Sequence, residues 1–155
     1  MSKLPPRLVI RLAWRAHRAL VRYSGGRLGL TEAKPDKEGL AQLTTRGRKS
    51  GQERVVMIAY FRDGGDYVTM AMNGWDEADP SWWLNMQANP DAKLLAPVGE
   101  VAVTGRAAKP GNEHDRLWNE WRRLDKSVDR YSHRRSHTPV VILSPATIGD
   151  EGRSD

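Results

Sequence analysis

Hydrophobic and polar residues change rhythm once along the chain, near Gly39. Before it, Arg7, Arg11, Arg15, Arg18 and Arg22 recur at 4-4-3-4 spacing, which at about 100° per residue gathers them on one helical face. Leu8, Val9, Leu12, Ala13, Ala16 and Leu20 fall opposite. This predicts a cationic amphipathic helix ending at Gly25-Gly26, with a connector over 24–38.

After Gly39 the apolar runs are short, rich in β-branched residues and punctuated by turns. Gly39–Thr45 and Arg54–Phe61 flank the turn 46–52, and Arg62-Asp63-Gly64-Gly65 leads into Asp66–Met72, an antiparallel meander. Pro80 opens a short helix carrying Trp82, Trp83, Leu84, Met86 and Gln87, stopped by Asn89-Pro90. Ala92–Val98 and Val101–Ala108 read as a hairpin about Gly99-Glu100. Asn112 is placed to cap a helix reaching Leu124, with Leu117, Trp118, Trp121 and Leu124 on one side, and Thr138–Leu143 is a closing strand. No βαβ alternation occurs. The expected fold is therefore mainly β with helices (α+β), a small barrel preceded by an amphipathic helix.

With 155 residues the chain suits one core. No uncharged apolar run approaches the roughly 18 residues of a membrane span, which excludes a transmembrane helix. The absence of cysteine removes disulfides, thiolate nucleophiles, iron–sulfur clusters and cysteine-based zinc sites, so redox chemistry would need a bound cofactor. It also gives no sign of an oxidising compartment, and a cytoplasmic location is expected.

The net charge of +6 is unevenly placed: the first 30 residues hold seven cations and no acid, leaving the remainder at −1. A basic pI thus describes one segment, and nucleic acid is not an expected partner. An arginine in every turn of that segment does not fit a signal peptide. The readings that remain for it are a surface helix docked on the domain, or binding to a partner or, through residues 7–22, to an anionic membrane surface on the inner face of the cell membrane.

Two segments concentrate chemistry. Arg46, Arg48, Lys49 and Arg54 crowd a turn whose Gly47 and Gly51 free the backbone, which suits a phosphate or carboxylate; a solvated basic hairpin tip has the same pattern. The spacing is not that of a P-loop. The second is Asn73-Gly74-Trp75 with Pro80 to Asn85, where tryptophans offer flat apolar surface and Asn73 and Asn85 offer groups that read ring carbonyls. Adjacent tryptophans on a helix point about 100° apart, so one of Trp82 and Trp83 is expected in the core and the other at a cleft. His133 and His137 have helical i, i+4 spacing, but with Arg134 and Arg135 between them and no nearby carboxylate they read as solvated or hydrogen-bonded, and no metal site is expected.

Read in order, LTTRGRKSGQERVV (43–56), FRDGGDYV (61–68), MNGWDEADPSWWLNMQANP (72–90), VTGRAA (103–108) and TPVVILSP (138–145) resemble the deazaflavin-dependent nitroreductase family of actinobacteria over about residues 39–145. The resemblance implies a split β-barrel of the flavin-reductase type over 39–145, with 1–38 as helix and connector and 146–155 as a flexible tail. It also implies coenzyme F-420, an 8-hydroxy-5-deazaflavin with a phospholactyl oligoglutamate tail, as cofactor.

Carried over by position, the cofactor contacts would be Arg48, Lys49, Ser50, Arg54, Val55, Val56, Met57 and Ile58, then Met70, Ala71, Met72 and Asn73, then Ser81, Trp82, Trp83, Leu84 and Asn85. Tyr131 would lie on the substrate side. The implied activity is hydride transfer from the reduced deazaflavin to an electron-poor small molecule such as a quinone, enone or nitroaromatic, the proton coming from Tyr131 or a bound water. Some members carry lysine at the position of Asn73 and tyrosine near that of Ala59, so nitro reduction is not implied. An FMN-binding split-barrel reductase and a non-catalytic deazaflavin-binding or membrane-surface protein are the alternatives.

Overall fold

The computed structural model describes residues 6–23, 29–72 and 76–146. Helix α1 spans Arg7–Tyr23, in agreement with the arginine periodicity. The expected glycine stop at 25–26, and the tail beyond Ala146, lie outside the described residues.

The strands are β1 (Gly39–Arg46), β2 (Glu53–Asp63), β3 (Asp66–Met70), β4 (Asp91–Ala96), β5 (Gly99–Ala107) and β6 (Val140–Pro145), and they close a barrel in the order β1-β2-β3-β6-β5-β4. Every neighbouring pair is antiparallel, and β1 against β4 completes the ring through Leu43 opposite Leu94. Closure leaves no unpaired sheet edge.

Alternation along each strand divides the side chains between two cores. Ala41, Leu43, Ile58, Tyr60, Tyr67, Leu94, Val103 and Leu143 fill the interior, joined by Trp82, Trp83 and Met86 of α2 (Ser81–Ala88). Phe61, Val68, Met70, Val140 and Ile142 face outward and are covered by Leu117 and Trp121 of α3 (Asn112–Leu124) and Val128 of α4 (Val128–Ser132).

The connector is stitched to the barrel. Thr31 exchanges backbone hydrogen bonds with Leu40, and the Tyr60 hydroxyl donates to the Thr31 carbonyl at 3.3 Å. Gly39 permits this approach: a Cβ there would lie 2.6 Å from the Ala33 nitrogen and 2.7 Å from the Thr31 oxygen. Burial, with Glu32 as a lesser cause, raises the Tyr60 pKa above its ordinary value.

Four local expectations are corrected. The β4–β5 hairpin turns at Pro97-Val98, because proline presets the turn backbone and Gly99, at φ 128°, absorbs the return. Asn112 is the first helical residue of α3 and not its cap; the preceding Gly111 has φ 94°, and the Glu113 carboxylate takes the Lys109 N–H at 2.9 Å. Strand β6 begins at Val140 and not Thr138, since Pro139 has no N–H to give the ladder. Strand β3 ends at Met70, two residues early, where the Ala71 carbonyl is taken by a guanidinium, that of Arg135.

Candidate functional site

The basic turn between β1 and β2 is a folded object. The Gly47 N–H donates to the Gln52 carbonyl at 2.7 Å and the Gly51 N–H to the Gly47 carbonyl at 2.8 Å. Gly51 needs its freedom, at φ 71°, and a Cβ on Gly47 would meet Ser50 Oγ at 2.9 Å. Ser50 Oγ accepts from the Gln52 N–H at 3.2 Å and from the Arg54 guanidinium at 3.5 Å. Arg46, Arg48, Lys49, Ser50 and Arg54 are all exposed, so their charges meet solvent from a shaped backbone.

The structure joins this turn to the second candidate segment. Asn85, buried on α2, accepts through Oδ1 from the Arg48 N–H at 3.2 Å and from the Arg48 guanidinium at 3.0 Å, and its Nδ2 donates to Thr45 Oγ1 at 3.3 Å. The α2 helix starts after Pro80 with no side-chain cap and no acid in its first turn, and the Trp83 and Leu84 N–H groups donate to the Pro80 carbonyl at 3.0 and 3.2 Å. Ser81 is exposed there and Leu84 half-buried.

The expectation that Trp82 and Trp83 divide between core and cleft is overturned. They are only 6% and 5% exposed, with rings 6.3 Å apart at 67°, because α2 sinks among the interior residues and is covered on both sides. On β2 the candidate run Val55 to Ile58 splits by alternation: Val56 and Ile58 face the interior, whereas Val55 is exposed and Met57 is buried on the outer side. Met70 packs under α3 and α4, Ala71 belongs to the interior, and Met72 is half-buried between. Asn73 lies outside the described residues.

Tyr131 sits on α4, a one-turn helix that the sequence reading missed. Asp129 ties α4 to α3 by accepting from Trp118 Nε1 at 3.2 Å and Arg122 Nε at 2.6 Å. Arg130 donates to the Tyr131 hydroxyl at 3.3 Å. Since α4 ends at Ser132, His133 and His137 share no helical face; His137 instead stacks on His114, centroids 6.2 Å apart.

The profile of the F420H(2)-dependent quinone reductase family matches residues 13–145. The chain belongs to that family. Curated relatives bearing the same enzyme name, in Mycobacterium tuberculosis and, as a putative one, in Mycobacterium bovis, are each 32% identical to it over 84% of this chain and 88% of theirs. A solved F420-H2 dependent reductase (FDR-A) superposes with a TM-score of 0.62 at 26% identity, covering 74% of this chain and 97% of the other. A heme storage protein from Vibrio cholerae, at 10% identity and TM-score 0.56, shares the fold alone. The split barrel, the oxidoreductase class, the deazaflavin coenzyme and an actinobacterial type of sequence all stand as expected.

The quinone reductase family implies coenzyme F-420, and the donor set fits it. Arg48, Lys49 and Arg54 present exposed cations on one turn, matched to a polyanionic tail. The half-buried Met72 and Leu84, with the α2 start that no side chain caps, offer apolar surface and backbone polar groups of the sort a flat ring with imide carbonyls needs. Trp82 and Trp83 pack in the barrel interior.

Proposed function

We propose that this chain reduces a quinone with coenzyme F-420, binding the coenzyme across the junction of the basic turn and α2. The hydrogen bonds from Arg48 to Asn85 carry this reading, since they make a tail-sized cationic turn and a ring-sized edge continuous. Arg48, Lys49, Ser50 and Arg54 would hold the tail, and residues 70–73 with Ser81 to Asn85 would border the head. When bound, the reduced deazaflavin supplies a hydride to the electron-poor acceptor. The chain's part is to orient the ring, exclude water behind it with the packed interior under Trp82 and Trp83, and leave one face for the acceptor. Tyr131, half-buried on α4, is the proposed proton donor on the acceptor side.

Tryptophan quenching with F-420 and with FMN, followed by stopped-flow oxidation of the reduced coenzyme by menadione, tests the proposal. Tight binding of F-420, much weaker binding of FMN and enzyme-dependent oxidation are expected. Equal affinities, or binding without oxidation of any quinone, enone or nitroaromatic, would reject it.

A membrane surface is the proposed place of action. Leu8, Val9 and Leu12 on α1 are 67%, 51% and 54% exposed, with Arg11 and Arg15 exposed on the same helix. No helix among the described residues is long and apolar enough to cross a membrane, so attachment would be at the surface.

A further inference from the structure

The most deeply buried charge in the described fold belongs to an arginine outside the basic turn and α2. The Arg135 side chain is 1% exposed. One of its terminal nitrogens donates to the Ala71 carbonyl, the other donates to Asp79 Oδ1 at 2.6 Å, and Nε has no protein partner. Beside it, the Ser136 N–H donates to both Glu77 carboxylate oxygens at 3.2 Å, its hydroxyl donates to the same group, and the Ala71 N–H donates to the Pro139 carbonyl at 2.9 Å. These Ser136 bonds hold the Glu77 carboxyl below its ordinary pKa. Residues 135–139 therefore grip the β3–α2 loop at Ala71, Glu77 and Asp79.

Stability alone is a poor reason for such a group. Burying a guanidinium is costly, and an apolar side chain of similar volume would serve packing as well. What arginine adds is geometry: its planar fork fixes the directions of both acceptors. Ala71 follows directly on β3 and Asp79 stands two residues before α2, so one rigid group sets the spacing between the strand exit and the helix entry.

Resting on the coenzyme reading above, we infer that Arg135 is a positioning residue for the deazaflavin head, bracing Met70–Met72 against Ser81–Asn85. It lies four residues beyond Tyr131, so the same segment links the acceptor side to the coenzyme side.

The test measures affinity in the full-length chain for F-420 and for its tail-less riboside, alongside thermal unfolding and salt dependence. Arg135→Met is expected to weaken both probes by the same factor, on the order of tenfold, with the salt slope of F-420 binding unchanged because the basic turn is intact. Arg135→Lys recovers part of the loss, and Asp79→Asn shows a smaller one. Arg116→Met, which breaks the exposed pair with Asp63, leaves both affinities unaltered. A merely structural role would lower the melting temperature without moving the affinity of the folded protein.

Wild-type affinity in folded Arg135→Met, or a loss confined to the tailed coenzyme, overturns the inference and leaves the coenzyme reading standing. Where Arg135→Met does not fold, wild-type affinity in Asp79→Asn overturns it. A wild-type chain that binds neither probe overturns the coenzyme reading itself.

Discussion

Asn85 and Arg48, 37 residues apart, meet through one amide oxygen that accepts both the backbone N–H and the guanidinium of the arginine. Asn85 is 3% exposed and spends its amide nitrogen on Thr45, so it locks the turn to the helix from a buried position. Substituting Asn85→Ala leaves buried groups unpaired and should cost about 1–3 kcal/mol of stability, read by denaturant unfolding. Coenzyme binding should fall as well, because Arg48 loses its anchor. Asn85→Ala with unchanged affinity would detach α2 from the binding site.

Removing the tail contacts should look different. Lys49→Ala with Arg54→Ala deletes two exposed cations and no buried group, so melting should hardly change. Affinity for F-420 should drop by about tenfold at low salt, and the difference from wild type should shrink as salt rises. A salt-independent loss would point to misfolding.

The contrast between these variants marks what the sequence made legible. Strands β1 to β3 could be read because their apolar runs are bounded by Gly-rich turns, and α2 because Pro80 and Pro90 frame it. The burial of both Trp82 and Trp83 could not, since helical geometry gives the angle between two side chains but not how many neighbours surround the helix. Helix α4 has one turn, too short for a period, and its anchor is Asp129 reaching Trp118 and Arg122 on another element. Arg135 carried no local signal at all. Its partners Ala71 and Asp79 are 64 and 56 residues away, and only the closed barrel brings β3 beside β6.

The connector offers a packing test. Gly39→Ala would drive a methyl against the backbone of Ala33 and Thr31, at 2.6 and 2.7 Å, where no flexible group can yield. Gly105→Ala would meet the Met86 methyl at 2.1 Å, the far end of a side chain that can turn. Both should destabilise, by about 1–3 kcal/mol, with Gly39→Ala the more severe. Denaturant unfolding of the two variants under one condition decides the order, and the reverse order would mean that residues 31–33 are loosely held.

Acid should weaken the α3–β5 contact. Arg106 donates to Glu113 at 2.6 and 3.1 Å and the Lys109 N–H adds a third bond, which lowers the Glu113 pKa from its ordinary 4.5 to about 2. A folded-state pKa below the unfolded one means the stabilisation is complete above pH 4.5 and fades as pH falls towards 2. Asp63, held low chiefly by its hydrogen bonds from Arg116, acts in the same direction. Glu113→Gln should therefore lose stability at neutral pH and show a flatter stability profile between pH 4.5 and 2, measured by thermal unfolding across that window.

Leu8, Val9 and Leu12 stand exposed, so the docked-helix reading leaves these three side chains without cover on this chain. Each arginine near an anionic surface contributes on the order of 1 kcal/mol, and a small apolar face adds insertion energy, so attachment should be reversible and sensitive to salt. Cosedimentation with vesicles containing phosphatidylglycerol should therefore pellet the full chain at low salt and release it at high salt. Arg11→Glu with Arg15→Glu should abolish pelleting, and Leu8→Ser with Leu12→Ser should weaken it at every salt concentration, while coenzyme affinity in solution stays as in wild type. Pelleting that survives charge reversal would place the attraction elsewhere on the protein. Apolar substitutions that shift the oligomeric state without affecting vesicle binding would make a second copy of the chain the occupant of this face.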